Sequence, residues 1–230
     1  MIRAVITDIE GTTTSVTFVY NVLFPYFRER VEILTSMLDD KTVRKCFDGV
    51  ISLVKKEEER LIPDAEIPSI LKQWSEQDRK ITELKVLQGV IWEAGYKNGE
   101  IKGHLYPEVN EALKNWSDKG VQLGVYSSGS VAAQKLLFGF SDHGDLTGLF
   151  SYYFDTTVGQ KREPNSYYQI QNQIEVEPAE ILFLSDVVEE LDAAIAAGWH
   201  GIQLVREGTV KGNIHQTVQN FNQIDLNNVR

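Results

Sequence analysis

The chain has a single cysteine among its 230 residues, Cys46, so no internal disulfide can form. Nothing around Cys46 resembles a metal-binding or nucleophilic set, and it reads as a small packing residue in a helix. Long apolar runs are also missing. None approaches the roughly 20 residues needed to cross a bilayer, and the first residues pass directly into an apolar strand without a basic leader. A cytoplasmic protein that does not enter membranes is therefore expected. Positive charge is scarce: 23 Lys and Arg stand against 33 Asp and Glu, a formal net charge of −10. That balance argues against nucleic acid as a partner, because a phosphate backbone is bound through clustered Lys and Arg. A small phosphorylated molecule remains compatible, since it needs positive charge only locally. The acidic run Glu57-Glu58-Glu59, flanked by Lys55, Lys56 and Arg60, reads as the solvated face of a helix with cross-turn pairs. Repeats, low-complexity segments, coiled-coil heptads and apolar surface stripes are not evident either, and a monomer is the simpler expectation.

What is present begins with Val5-Ile6-Thr7-Asp8-Ile9-Glu10-Gly11-Thr12-Thr13-Thr14. A short apolar strand ends on a carboxylate, with a second acid two residues later and a Gly-Thr turn behind it. A strand-end Asp puts oxygens at the carboxyl edge of a sheet, where open α/β folds bind ligands. Asp8 could attack phosphorus there and form an aspartyl-phosphate, while Glu10 could handle a leaving-group proton. A strand-end Asp can equally well cap the next turn, so this tract does not decide the matter by itself.

Three further stations support the chemical reading. Val121 to Tyr126 reads as a buried strand that runs into Ser127-Ser128-Gly129-Ser130, a hydroxyl-rich turn suited to an anion. Lys161 follows Gly159 and Gln160 in a polar loop and could neutralise developing phosphate charge. Ile181-Leu182-Phe183-Leu184 leads into Ser185-Asp186, and Asp186 could hold a divalent cation. Carboxylate, hydroxyl, lysine and carboxylate, each near the end of an expected element, are harder to obtain by chance than any one of them.

The spacing places an α/β core with a Rossmann-like parallel sheet at residues 1–14 and 103–230, and an inserted helical cap at 15–102. Strands are expected at Arg3 to Asp8, Val121 to Tyr126, Tyr152 to Phe154, Ile181 to Ser185 and Gly201 to Leu204. Core helices are expected at Pro107 to Lys119, Val131 to Phe138, Ser166 to Ile174 and Glu189 to Ala197. Cap helices are expected at Asn21 to Leu38, Lys41 to Arg60, Ile67 to Asp78 and Glu83 to Asn98. In the last of these, Trp92 and Gln88 lie off the apolar stripe and could face a substrate, though Trp92 could equally be a packing aromatic. The polar stretch from Gly212 to Arg230 is expected to be peripheral.

These four stations resemble the motifs of the haloacid dehalogenase superfamily, whose phosphatases use an aspartate nucleophile and magnesium. Its typical phosphatases carry Asp two residues after the nucleophile, whereas this chain has Glu10. That difference, with Gly11-Thr12-Thr13 behind it, resembles the enolase-phosphatase (acireductone synthase) family. Leu23-Phe24-Pro25-Tyr26, Leu87 to Trp92, Tyr126 to Val131 and Gln134 to Gly139 are similar blocks. Halide displacement from carbon needs neither magnesium nor an acid at the position of Glu10, so the acids at Glu10 and Asp186 favour a phosphatase.

The resemblance implies that 2,3-diketo-5-methylthiopentyl-1-phosphate, a methionine-salvage intermediate, is enolised and then dephosphorylated to the acireductone. Asp8 would be the nucleophile and Glu10 the acid-base group. Ser127, Ser128 and Lys161 would clamp the phosphate, and Mg2+ would be held by Asp8, Asp186 and the backbone carbonyl of Glu10. The Glu10 side chain could serve the leaving group, an enol oxygen or a proton on carbon. His104 and Glu163 are weaker candidates for the enolisation base. Glu189 or Glu190 could support the metal's waters or simply favour the start of a helix. Tyr20, Phe24 and Trp92 are candidate readers of the methylthio end.

Overall fold

The computed structural model describes residues 1–229. In chain order the elements begin with β1 (Ala4–Thr7), α1 (Val16–Phe18), α2 (Phe24–Arg30), α3 (Lys41–Glu58), α4 (Ile67–Glu76) and α5 (Thr82–Lys97). They continue with α6 (Val109–Asp118), β2 (Gln122–Tyr126), α7 (Val131–Gly139), β3 (Tyr152–Phe154), α8 (Pro164–Ile174), β4 (Ile181–Ser185), α9 (Val188–Ala196), β5 (His200–Leu204) and β6 (Gln216–Val218). They form two compact units, Met1–Val16 with Lys102–Arg230, and Thr17–Ile101.

The first unit holds a parallel sheet in the order β3-β2-β1-β4-β5-β6. Its central strands are buried on both faces, which explains their uninterrupted apolar runs. Ala4, Ile6, Tyr126, Tyr167, Ile181 and Phe183 belong to one continuous cluster. Burying a side chain such as Phe183 contributes about 2 kcal/mol. Strand order reverses at β1, which lies between β2 and β4, with Thr7 opposite both Val125 and Leu184. The carboxyl ends of β1, β2 and β4 are therefore neighbours, and a crevice at such a reversal is where α/β sheets hold ligands.

The tail departs from expectation, for it is not merely peripheral: Gln216–Val218 adds a sixth strand, pairing Ile202 with Gln216 and Leu204 with Val218. Phe221 behind it is buried and stacks on Trp116. A three-residue strand of mixed polarity has too little period to be read from sequence.

The second unit is helical, and its core includes Phe27, Val31, Leu34, Phe47, Val50, Leu71 and Leu87. Asp40 caps α3, accepting from the Thr42 and Val43 amides at 2.7 and 3.1 Å. The expected single helix from Asn21 to Leu38 is instead three segments: a π turn at Val19–Leu23, α2, and a 3-10 segment at Val31–Met37. Pro25 supplies the reason for the first break, because it has no amide to continue the ladder and its ring crowds the preceding turn. The Phe24 amide bonds five residues back to the Val19 carbonyl. Trp92 packs rather than projects: it is buried, stacks on Phe24, and its indole nitrogen donates to the Leu23 carbonyl at 2.8 Å.

Candidate active site

The loop after β1 is folded by its own backbone. The Ile9 carbonyl receives the amides of Thr12, Thr13 and Thr14 at 3.2, 2.9 and 2.9 Å, and the Gly11 amide returns to the Thr14 carbonyl at 2.8 Å. Gly11 sits at φ +74°, a left-handed conformation that favours glycine. The Asp8 amide still bonds to the Leu184 carbonyl, so its side chain leaves from the last sheet-bonded position of β1.

All six residues singled out from the sequence, Asp8, Glu10, Ser127, Ser128, Lys161 and Asp186, line one cavity of about 170 Å³. Ser127 leaves β2, with its amide on the Phe154 carbonyl and its hydroxyl accepting from the Gly129 amide at 3.1 Å. Ser130 caps α7 through the Ala133 amide, and Asp155 accepts from the Val131 amide at the same helix start. Lys161 reaches in from the loop between β3 and α8.

Glu190 is the seventh group, and its place decides the electrostatics. The buried Lys161 ammonium stands 2.6 Å from Asp8 Oδ1 and 2.6 Å from Glu190 Oε2. Ser185 donates its hydroxyl to Glu190 Oε2 at 2.8 Å, fixing that carboxylate from β4. Burial opposes the charged form of Lys161, but Asp8 and Glu190 outweigh it and lift the ammonium to about 12. Burial raises Asp8, Lys161 opposes that rise, and Glu190 and Asp186 add to it. Asp186 is pushed up to about 6, mainly by burial, with Glu190 and Glu10 contributing. The cavity thus gathers more carboxylate than its one lysine neutralises. Such a site can present an anionic nucleophile, and it also favours an added cation.

A family model for haloacid dehalogenase-like hydrolases matches residues 2–198. Enolase-phosphatase E1 of Picosynechococcus sp. is 51% identical over 97% of this chain and 98% of its own length. The protein of the same name from Erwinia tasmaniensis is 50% identical over 98% and 97%. This chain belongs to the enolase-phosphatase E1 family of haloacid dehalogenase-like hydrolases. Among solved structures, the UTR4 protein of Saccharomyces cerevisiae superposes with a TM-score of 0.80 at 31% identity, covering 97% of this chain and 100% of that one.

Phosphatases of this family generally work with a divalent cation. The residues here fit one: Asp8 and Asp186 offer hard oxygen donors, and both carboxyls are raised by burial and by neighbouring carboxylate charge. Gly11 keeps the loop backbone close to Asp186, since a Cβ on it would lie 2.3 Å from Oδ2. Among the described residues no three His, Cys, Asp or Glu side chains form a ready-made cage. Two carboxylates plus substrate oxygens and water suit a hard divalent cation held jointly by protein and substrate rather than an all-protein site.

The weaker candidates fall elsewhere. His104 Nδ1 lies 2.9 Å from Thr14 Oγ1 and 3.2 Å from the Ser15 amide. The Thr14 hydroxyl donates its proton to the His104 carbonyl at 2.6 Å, and Nδ1 accepts from the Ser15 amide. Glu163 is exposed at the start of α8 and does not line the cavity. Of the two acids at the start of α9, only Glu190 lines it. Within the first turn of α9, Glu189 is exposed and Glu190 buried, a difference of direction set by one helical step. Arg206 gave no signal in the sequence. Its guanidinium donates to the Thr12 carbonyl at 2.9 Å and so holds the loop that carries Glu10.

Proposed function

We propose that this chain enolises 2,3-diketo-5-methylthiopentyl-1-phosphate and then dephosphorylates it to the acireductone of methionine salvage, through an aspartyl-phosphate at Asp8. The observation that carries the reading is Glu10, two residues beyond Asp8, lining the same cavity as Asp186 and Lys161. Residues 1–14 with 103–230 supply the chemistry in this reading, and residues 15–102 serve as the cap. The enzyme works in the cytoplasm as a monomer.

In the dephosphorylation step an Asp8 oxygen forms the new bond to phosphorus while the bond to the leaving oxygen breaks. Glu10 gives that oxygen its proton. The resulting Glu10 carboxylate then takes a proton from water as the water attacks phosphorus, which releases inorganic phosphate and restores Asp8. Lys161 holds Oδ1 of Asp8 at 2.6 Å, orienting the nucleophile and opposing charge that builds on the phosphoryl oxygens. The Ser127 and Ser128 hydroxyls, beside the amides at the start of α7, receive the remaining phosphoryl oxygens. Asp8, Asp186 and the Glu10 carbonyl would hold Mg2+, which supplies Lewis-acid stabilisation of phosphoryl and enolate charge.

The test is to add the diketo phosphate with and without Mg2+ while recording enol absorbance and released phosphate together. Both signals, dependent on metal, are expected. Phosphate without acireductone would reduce the chain to a general phosphatase, and silence in both channels would reject the substrate.

A further inference from the structure

Lys161 must hold its ammonium 2.6 Å from two carboxylates at once, yet it sits between Phe154, the end of β3, and Pro164, the start of α8, outside any helix or strand. Side-chain hydroxyls grip its backbone instead. The Gly159 carbonyl accepts from the Tyr126 hydroxyl at 3.0 Å, the Gln160 carbonyl from Ser166 Oγ at 2.7 Å, and the Lys161 carbonyl from the Tyr167 hydroxyl at 2.7 Å. Three consecutive carbonyls are thus taken by three donors from two rigid elements, β2 and α8.

The anchors are themselves fixed. Tyr126 and Tyr167 are fully buried and meet edge to face at 5.6 Å, and Tyr167 also packs on Phe183 and Trp199, each at 5.3 Å. The Tyr126 ring lies 5.8 Å from the Lys161 ammonium, so one side chain touches both the loop's backbone and the region of its charge. Gly159 lets the loop come down onto α8: at φ +142°, a Cβ there would stand 2.2 Å from Ser166 Oγ. Phenylalanine would fill either tyrosine site without burying a hydroxyl, which costs free energy unless the hydroxyl is bonded. Here every one of these hydroxyls is used on the same three residues.

We propose that Tyr126, Ser166 and Tyr167 are positioning residues that set where the Lys161 ammonium stands against Asp8, and so control the rate of phosphoryl transfer. This rests on the function proposed above for the catalytic step, but not for the placement of Lys161. Loss of the hydroxyls frees the loop, the ammonium moves off Asp8, and the rate falls although no group that touches substrate has changed.

The experiment compares Tyr126→Phe/Tyr167→Phe, and Ser166→Ala as a milder variant, in the parent and in a Lys161→Ala background. Turnover of the diketo phosphate in the parent background is expected to fall about 10- to 100-fold for the double variant and less for Ser166→Ala, with KM little changed. In the Lys161→Ala background the same substitutions should cost less than about twofold, because groups acting through one residue are not additive. Lys161 labelling by reductive methylation, read by peptide mass, is expected to be slow in the parent and about tenfold faster in the double variant. That readout needs no substrate, so a parent with no turnover would reject the proposed function while labelling still judged the positioning claim. Equal loss in both backgrounds, or unchanged Lys161 labelling in a folded variant, would overturn it.

Discussion

Gly11 and Asp186 are so close that a Cβ on the glycine would lie 2.3 Å from Oδ2 of the aspartate. The contact joins the loop after β1 to the end of β4. Alanine at position 11 would have to displace the Asp186 carboxylate, and it would also strain a backbone at φ +74°. The strain costs about 1 kcal/mol, which the fold can absorb, but a carboxylate moved by an ångström costs about 100-fold in turnover. Gly11→Ala should therefore keep its circular dichroism spectrum and lose activity. Turnover within threefold of the parent would show that Asp186 need not stand there.

Arg206 and Glu108 form a partly buried ion pair at 2.7 Å, with the guanidinium 3.8 Å above the Tyr106 ring and further donating to the Gln219 and Thr12 carbonyls. Removing one member leaves the other charge partly buried and unpaired, at a cost of about 1–3 kcal/mol. Arg206→Met should lower the unfolding midpoint by roughly 2–4 °C for each kcal/mol lost. Arg206→Met with Glu108→Leu should recover part of that loss. Thermal unfolding of the single and double variants checks this, and a single variant as stable as the parent would contradict it.

Cys46 lies buried on α3, and burial raises its thiol, with Glu83 adding to the rise and Lys45 opposing it. The thiolate is the reactive form, so a raised thiol holds less of it at pH 8 than free cysteine does. Alkylation of native protein at pH 8 should be slower than that of a cysteine peptide and should accelerate as pH rises or denaturant is added. Native labelling at the peptide's rate would argue against this packing.

Much of the fold was legible because the core strands are buried on both faces. Ile181 to Ser185 and Tyr152 to Phe154 read as strands at the bounds they adopt, since a short apolar run ending at a polar turn leaves few alternatives. The segmentation after Asn21 was not legible, because a π turn and a 3-10 segment keep the apolar spacing of a helix while changing its hydrogen bonds. Pro25 was the available clue. In the cavity, Asp8, Glu10, Ser127, Ser128 and Asp186 could be picked out because each closely follows a strand, and Lys161 because it is a cation in the polar loop before α8. Glu190 was separable from Glu189 only by the direction each takes on α9. Arg206 could not be found, since its partners Thr12, Glu108 and Gln219 lie far apart in sequence and meet only in the folded core.

In the proposed reaction Asp8 carries the phosphoryl group. Acid quenching during turnover, followed by borohydride, reduces an aspartyl-phosphate to homoserine, which peptide mass spectrometry locates. Homoserine is expected at position 8 of the parent, and none with Asp8→Asn. An unmodified Asp8 under conditions of ongoing phosphate release, or full activity in Asp8→Asn, would contradict it.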